Sequence, residues 1–331
     1  MSRASCLRKQ CSCGHKNVGE FPAEVNAPIQ YGPRVKSYVS YLRHWQLIPI
    51  DRTAEVLKDC FDIAISQGTI ENITEEFARR CYSTQQSVLA HLKQVPVKHL
   101  DETGLRVKGK LYWLHVLSDG AHTHYRIRAK RKDLIEELNA TIVHDHWQPY
   151  FQYEGVKHAL CNAHHLRELK ALFEYQGEAW ARAMMNLLQL ISRVVSKNTH
   201  DPPKEVIARI KGLYDKIVCR GLAYHESLPK LKQSKLGRTK RRKGHNLLLR
   251  FSEKKAAVLR CLTDPDVPFS NNIAERDLRM TKVRQKISGC FRTYEGAEQF
   301  CTARGFLATA RKKGKNIIQA IQELYPLQNT A

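Results

Sequence analysis

Residues 97–107, VKHLDETGLRV, alternate apolar and polar side chains as a half-buried β-strand does, yet Asp101 and Glu102 sit in the middle of the run. A carboxylate removed from water is costly unless an arginine, a hydrogen-bond donor or a metal ion compensates it. Alternation sends the two side chains to opposite faces, so they need separate explanations. Asp101 is the acid whose neighbours decide how the chain folds.

Working outward, 97–107 is followed by the turn KGK, the run LYWLHVLSD, the turn GAH and the run THYRIRA. This predicts a three-stranded antiparallel meander, with Lys108-Gly109 as a hairpin turn. KRKDLIEELNA predicts a short helix, TIVHDHW a fourth strand, and VKHALCNAH a fifth that runs into the helix HLRELKALFEYQ. Upstream, residues 34–92 carry apolar residues at helical spacing in three runs. Ser66 and Thr69 are candidate caps for the third. Three short helices with a tight turn before the last suit a helix-turn-helix-like DNA-binding region or an ordinary helical bundle. From 166 onward the pattern is helical, broken by the basic stretch PKLKQSKLGRTKRRKGH (229–245) and the turn DPDVPFSNN before the helix NIAERDLRMTKVRQ. The order of strands and helices predicts an α/β fold with an RNase H-like core.

The 331 residues carry 55 Lys and Arg against 32 Asp and Glu, a formal net charge of +23 that favours an extended polyanion, nucleic acid foremost, as partner. A hydrophobic content of 42% excludes a disordered chain. No apolar run suits a membrane span and none suits a signal peptide, so no membrane role is expected. The ten cysteines are mostly scattered, which suits reduced thiols in a cytoplasm. Cys6, Cys11 and Cys13 cluster with His15 in residues 1–30, read as a loop or a fragment of a metal-binding module. Their C-x4-C-x-C-x-H spacing is poor for zinc, and zinc is not expected there.

In an RNase H-like sheet the first strand is central and the fourth lies beside it. Asp101 and Asp145, at the end of TIVHD, then approach one another and repel unless cations lie between them. Glu275, early on the helix NIAERD, is placed to point back at the sheet. Oxygen-only donors suit two Mg²⁺ (or Mn²⁺) ions and phosphodiester chemistry. Structural roles are open for each acid alone. Asp101 has Arg106 or Arg128 as possible partners, and Asp145 can cap the turn before Trp147. Glu275 can close a capping box on Asn272.

The chain resembles the insertion sequence 66 family of bacterial transposases. The resemblance rests on FPAEVNAPIQYGP, DETGLRVKGKLYWLHVLSD, VHDHWQPYF, HALCNAHHLREL, VPFSNNIAERDLRM and QKISGCFRTYEGAEQF, in that order. It implies a DDE catalytic core with Asp101, Asp145 and Glu275 as its three acids. It also implies a helical insertion before the last acid. The expected organisation is a zinc-module remnant or loop at 1–30, a helical DNA-binding-like region at 31–94 and the first part of the core at 95–167. A basic insertion domain at 168–265 and the core's C-terminal helices at 266–331 follow. Two departures stand out. The N-terminus is shorter than the family's, and EELNATIVHD lacks the Gly/Pro-containing stretch usual before the fourth strand, so the approach of Asp145 is expected to be altered.

Cys161 and His164 resemble a C-x2-H signature found near the second acid of several DDE groups. A flanking structural role is expected, since two further zinc ligands are not evident. Lys240, Arg241, Arg242 and Lys243 end a basic run that also includes Lys230, Lys232, Lys235 and Arg238; with Arg276 and Arg279 they are the expected DNA contacts. Trp147 suits packing on the sheet or stacking on a base. The resemblance implies strand cleavage and strand transfer of an insertion sequence, on element ends and target DNA. It further implies a homo-oligomer, accessory proteins of the same element, and a bacterial cytoplasmic, nucleoid-associated location. The competing readings are a shortened, catalytically impaired copy acting as a DNA-binding regulator, and a stand-alone nuclease.

Overall fold

A computed structural model describes residues 8–19, 30–135, 138–197, 202–231 and 241–325. Cys6, Lys232, Lys235, Arg238 and Lys240 lie outside the described residues.

Within the segment read as a loop or metal-module fragment, the described residues form a small hairpin: β1 (Arg8–Gln10) and β2 (Lys16–Val18), with Cys11, Cys13 and His15 in the exposed turn between them. Gly14 has φ +83, a conformation that favours glycine, and its N–H bonds the Cys11 carbonyl at 2.9 Å. Three helices follow: α1 (Pro33–Ser40), extended by a π-helical turn over Tyr41–Trp45, then α2 (Ile50–Phe61) and α3 (Gln67–Gln94). Pro33 opens α1 where its missing N–H costs nothing. The Ser66 hydroxyl caps α3 by accepting from Thr69 N at 3.1 Å, as the sequence predicts. The third helix is not short, however. It runs 28 residues because apolar partners meet it along its length, beginning with Val39 and Leu57 against Ile70 and Ile73. Phe77, Ala78 and Cys81 pack on the last two helices of the chain, and Val88 and Leu92 pack on the sheet.

The sheet comprises β3 (Val97–Val107), β4 (Lys110–Ser118), β5 (Thr123–Arg128), β6 (Thr141–His144) and β7 (Lys157–Leu160). Their spatial order is β5-β4-β3-β6-β7. The first three are antiparallel, and β6 and β7 add in parallel, so β3 is central and β6 lies beside it. The remaining helices are α4 (Asn162–Gln176), α5 (Ala179–Lys197), α6 (Lys204–Ser227), α7 (Lys243–Glu253), α8 (Lys255–Val258) and α9 (Arg260–Thr263). After them come α10 (Asn272–Ser288), α11 (Tyr294–Lys312) and α12 (Ile317–Glu323). This is a mixed α/β fold.

Each face of the sheet has its own core. Leu105, Val107, Leu114, Val116 and Ile127 pack against Ala274 and Leu278 of α10 and Phe300 of α11. Leu100, Leu117 and Ile142 pack on the other face with Val88, Leu92, Ile135 and Tyr150. Helices α4 to α9 form one continuous apolar cluster that includes Val143, Ala159 and Leu160 of β6 and β7. Among the described residues, no helix is long and apolar enough to cross a membrane, and every cysteine is free.

The helix expected over KRKDLIEELNA is not formed in the described residues of that segment, which pass from β5 to β6 as turns and irregular chain. Leu134, Ile135 and Leu138 have the spacing of a helical face, but they are packed onto the sheet from a non-helical backbone. Arg131 holds that backbone. Its Nε donates to Glu102 Oε1 at 2.8 Å, and its guanidinium lies 4.3 Å from the Trp147 ring centroid and 5.0 Å from that of Trp113. Helical propensity is worth only tenths of a kcal/mol per residue and yields to such anchoring.

Arg131→Met leaves the Glu102 carboxylate, 1% exposed, without its cation. We expect a loss of about 2–3 kcal/mol in urea unfolding, reduced because Arg131 itself is partly exposed. The double variant Arg131→Met/Glu102→Gln should recover most of that loss, since no buried charge is then stranded.

Candidate active site

The parallel pairing of β3 with β6 runs Val97↔Thr141, Lys98↔Ile142, His99↔Val143. Continued two residues, this register sets Asp101 beside Asp145, just past the end of β6. The short connection therefore does not keep the fourth strand from docking.

Three contacts aim the third acid. Asn271, 1% exposed, precedes α10. Its Nδ2 donates to the Leu100 carbonyl at 2.7 Å and its Oδ1 lies 2.8 Å from His99 Nδ1, which ties the start of α10 to β3 beside Asp101. Farther along, Gln285 Nε2 donates to the Gly104 carbonyl at 2.9 Å. Beyond α10, Phe291 N donates to the Arg106 carbonyl and Lys108 N donates to the Phe291 carbonyl, both at 2.9 Å. So anchored, α10 presents Glu275 to the sheet. The capping box expected from Asn272 is not made: Asn271 occupies the cap position, without a side-chain cap bond, because its amide is spent on β3.

The surroundings of the acids are unusual for a basic protein. Asp101 lies near Glu102, Asp145 and Glu275, and its carboxyl is pushed up to about 7, mainly by burial and then by the Glu102 charge, with smaller contributions from Asp145 and Glu275. Glu102 N, donating to Asp101 Oδ1 at 2.9 Å, works the other way. Asp145 does make the turn contact expected of it, Oδ1 accepting from Trp147 N at 2.8 Å, which orients the carboxylate without neutralising it. Glu102 faces the opposite side, where Arg131 and the Tyr150 hydroxyl donate to it. Burial raises its carboxyl as well. Arg106 does not pair with Asp101; it donates to the Gly109 carbonyl at 2.6 Å. Trp147 takes its packing role, edge-on to Tyr150 with centroids 5.3 Å apart.

Cys161 and His164 lie beside Glu275. One ligand atom from each of Cys161, His164 and Glu275 lies within 4.8 Å of the others, so Glu275 supplies a third potential ligand that the spacing did not reveal. Cys161 Sγ accepts from Asn271 N at 3.1 Å and lies 3.7 Å from Glu275 Oε1, and burial raises its thiol. His164 Nδ1 is 3.4 Å and an Arg167 guanidinium nitrogen 3.6 Å from the same oxygen. Asn271 and Arg167 were missed in the sequence; the doubled Asn of SNN at a helix start was the one available signal.

Arg276 and Arg279 are exposed on α10 beside Glu275. Arg241 and Lys243 are exposed at the start of α7, where Arg242 donates to the Pro229 carbonyl at 2.8 Å. A cavity of about 740 Å³ is lined by Arg128, Lys132, Ile135 and Tyr153 among others and touches none of the three acids.

The fold and site thus define a mixed α/β protein in which acids from two neighbouring strands and a covering helix converge. Over residues 28–299 the chain matches the transposase IS66 family, and it belongs to that family. It is also 27% identical over 165 residues to y4jO of Sinorhizobium fredii, a protein described as uncharacterised; the match covers 49% of this chain and 46% of that one, so the chain spans about half the length of this relative.

The raised Asp101 carboxyl has a stability consequence. Below about pH 4 both folded and unfolded states hold its proton. Between there and about 7 only the folded state keeps it, so the metal-free fold loses stability as pH rises through that window. Asp101→Asn should therefore be more stable than the parent chain by about 1–3 kcal/mol at pH 8 and indistinguishable near pH 4, read by denaturant unfolding in EDTA.

Proposed function

We propose that this chain is a DDE transposase of RNase H-like architecture that cuts the ends of an insertion sequence and joins them to target DNA, with Asp101, Asp145 and Glu275 as the catalytic acids. What carries the reading is the β3–β6 register, which sets two carboxylates side by side, together with the anchoring of α10 that turns a third toward them.

The donor set fits Mg²⁺ or Mn²⁺. It is made of oxygens, it is crowded with negative charge, and among the described residues neither Asp101 nor Asp145 forms an ion pair with Lys or Arg. Two such ions, when bound by these three acids, supply the positive charge that an in-line phosphodiester displacement needs on its attacking and leaving oxygens. The chain's own residues do the positioning. Asn271 and Gln285 hold α10 to β3, and the turn N–H of Trp147 fixes the Asp145 carboxylate. In cleavage, water attacks the phosphorus and the bond to the 3′ oxygen breaks, leaving a 3′-hydroxyl and a 5′-phosphate. In joining, that 3′-hydroxyl attacks a target phosphodiester and displaces its 3′ oxygen. The nucleophile is water or a sugar hydroxyl at each step, so no covalent protein–DNA link is required.

Arg276 and Arg279 beside the acids, and Arg241, Arg242 and Lys243 on the helical segment, are assigned to DNA phosphates; Lys240 belongs to the same run. The helices of 31–94 are assigned to DNA binding, 95–167 and 266–331 to the catalytic core and 168–265 to an insertion. The net charge of +23 supports a polyanionic partner. A homo-oligomer on DNA, help from proteins of the same element and a cytoplasmic, nucleoid-associated location complete the proposal.

The test incubates the purified chain with DNA from the ends flanking its own gene, in Mg²⁺, Mn²⁺ or EDTA. Metal-dependent cutting and joining should be reduced by about 10³-fold or more in Asp101→Asn, Asp145→Asn and Glu275→Gln, with DNA binding retained. Binding without cutting by the parent chain would make it a DNA-binding regulator, and cutting without joining a nuclease. Replacing Arg276 and Arg279 with Ala should weaken binding and flatten its salt dependence by about one logarithmic unit per lost phosphate contact.

A further inference from the structure

Beyond the acids, a second convergence of ligand atoms lies at the end of the sheet where β3 begins. Ser118, the last residue of β4, pairs with His99, whereas Asp101 pairs with Val116 two steps away. Just past Ser118 the chain turns through Asp119 and His122 into β5, and the last turns of α3 bring His91 against that turn. One ligand atom from each of His91, Asp119 and His122 lies within 4.8 Å of the others.

The geometry is that of a chelate. His91 Nε2 lies 3.5 Å and His122 Nδ1 3.2 Å from the same oxygen, Asp119 Oδ2. The two imidazole centroids are 4.1 Å apart, too close for both rings to be cationic without repulsion. Asp119 Oδ1 accepts from Ala121 N at 2.7 Å and from His122 N, which fixes the carboxylate; the His122 ring straddles it, Nδ1 lying 3.2 Å from each oxygen. Asp119 N in turn donates to the His122 carbonyl at 3.1 Å. Lys312 is occupied, donating to the Asp119 and His122 carbonyls at 3.0 and 3.1 Å and to the Asp277 carboxylate at 2.7 Å, and Lys313 adds a positive charge near His122. Such backbone and outer-shell bonds are what orient ligands around a bound metal. Asp119 and His122 are largely buried, but the His91 side chain is 50% exposed, so an ion and a water molecule have a way in.

We propose that His91, Asp119 and His122 bind a Zn²⁺-class ion whose fourth position is filled by water, fastening the end of α3 to the β4–β5 turn. Two imidazoles and one carboxylate suit Zn²⁺ and its first-row neighbours, whereas Mg²⁺ prefers all-oxygen shells. The site is therefore distinct in chemistry as well as in place from the three-carboxylate site. Its occupant would tie the helical N-terminal region to the sheet and take no part in phosphodiester chemistry.

Co²⁺ is the probe, because its visible absorption reports tight coordination and its near-ultraviolet charge-transfer band reports thiolate ligands. The metal-stripped full chain carries Cys6, Cys11, Cys13 and Cys161 replaced by Ser, which removes the thiols of the N-terminal turn and of the Cys161–His164–Glu275 cluster. With millimolar Mg²⁺ present throughout to occupy the three-carboxylate site, we expect one equivalent of Co²⁺ to bind without a thiolate band and to be displaced by Zn²⁺. His91→Ala, at a half-exposed position that the fold does not depend on, should weaken binding at least about tenfold and abolish the Zn²⁺-dependent rise in Tm. Asp119→Asn should weaken it similarly. Failure to bind, or binding unchanged in both His91→Ala and His122→Ala, overturns the proposal. The outcome is independent of the transposase reading, because it is read without DNA and through variants of His91, Asp119 and His122 alone, with Mg²⁺ held on the three acids.

Discussion

The parallel pairing of β6 with the central strand β3 is the constraint on which the rest of the structure depends. Because side chains alternate with a period of two, a slip of one residue in that register would turn the acid after β6 away from Asp101. The pairing is held on both sides. Ile142 is fully buried on one face with Leu100 and Tyr150, and Val143 on the other joins the helical cluster of α4 to α9. Two separate cores thus enforce a single alignment of carboxylates that repel one another.

Such a site is a local conflict that the surrounding fold must offset. Asp101 stands among three other acids with its carboxyl raised to about 7. The acid on the far face, Glu102, is instead fully satisfied by Arg131 and Tyr150. The contrast between adjacent residues separates the two ways in which a buried carboxylate is tolerated. One is paired and holds the backbone between β5 and β6 in place. The other has no cationic side chain against it, and its carboxyl is raised instead. Asn271 links this electrostatic centre to the architecture, since its amide joins α10 to β3 while its N–H reaches Cys161 at the start of α4.

The helical segments are joined to the sheet rather than hung from it. The long α3 packs on α11 and α12 near its middle and on the sheet toward its C-terminus, so an N-terminal helix and the last helices of the described chain share a core. Arg304 of α11 reinforces this, donating to the His44 carbonyl at 3.2 Å with its guanidinium 4.4 Å from the Trp45 ring centroid.

The five strands of the central sheet, the central place of 97–107, the meander turn at Lys108-Gly109, the Ser66 cap and membership of the family were legible from the sequence alone. Each rests on local chemistry: alternation, a turn residue, a hydroxyl before a helix, or a run of motifs in the order of a known family. What the sequence left open was decided by tertiary contacts. KRKDLIEELNA reads as a helix because its apolar spacing is helical, but Arg131 is claimed by Glu102 and two tryptophans. Asn272 reads as the cap of α10, but Asn271 takes that place while its side chain bonds the sheet. The grouping of Cys161 and His164 with Glu275, and of His91 with Asp119 and His122, joins residues far apart in the chain, and no local spacing encodes either. A sequence specifies what each segment prefers to be; only packing determines which preferences give way and which distant side chains meet.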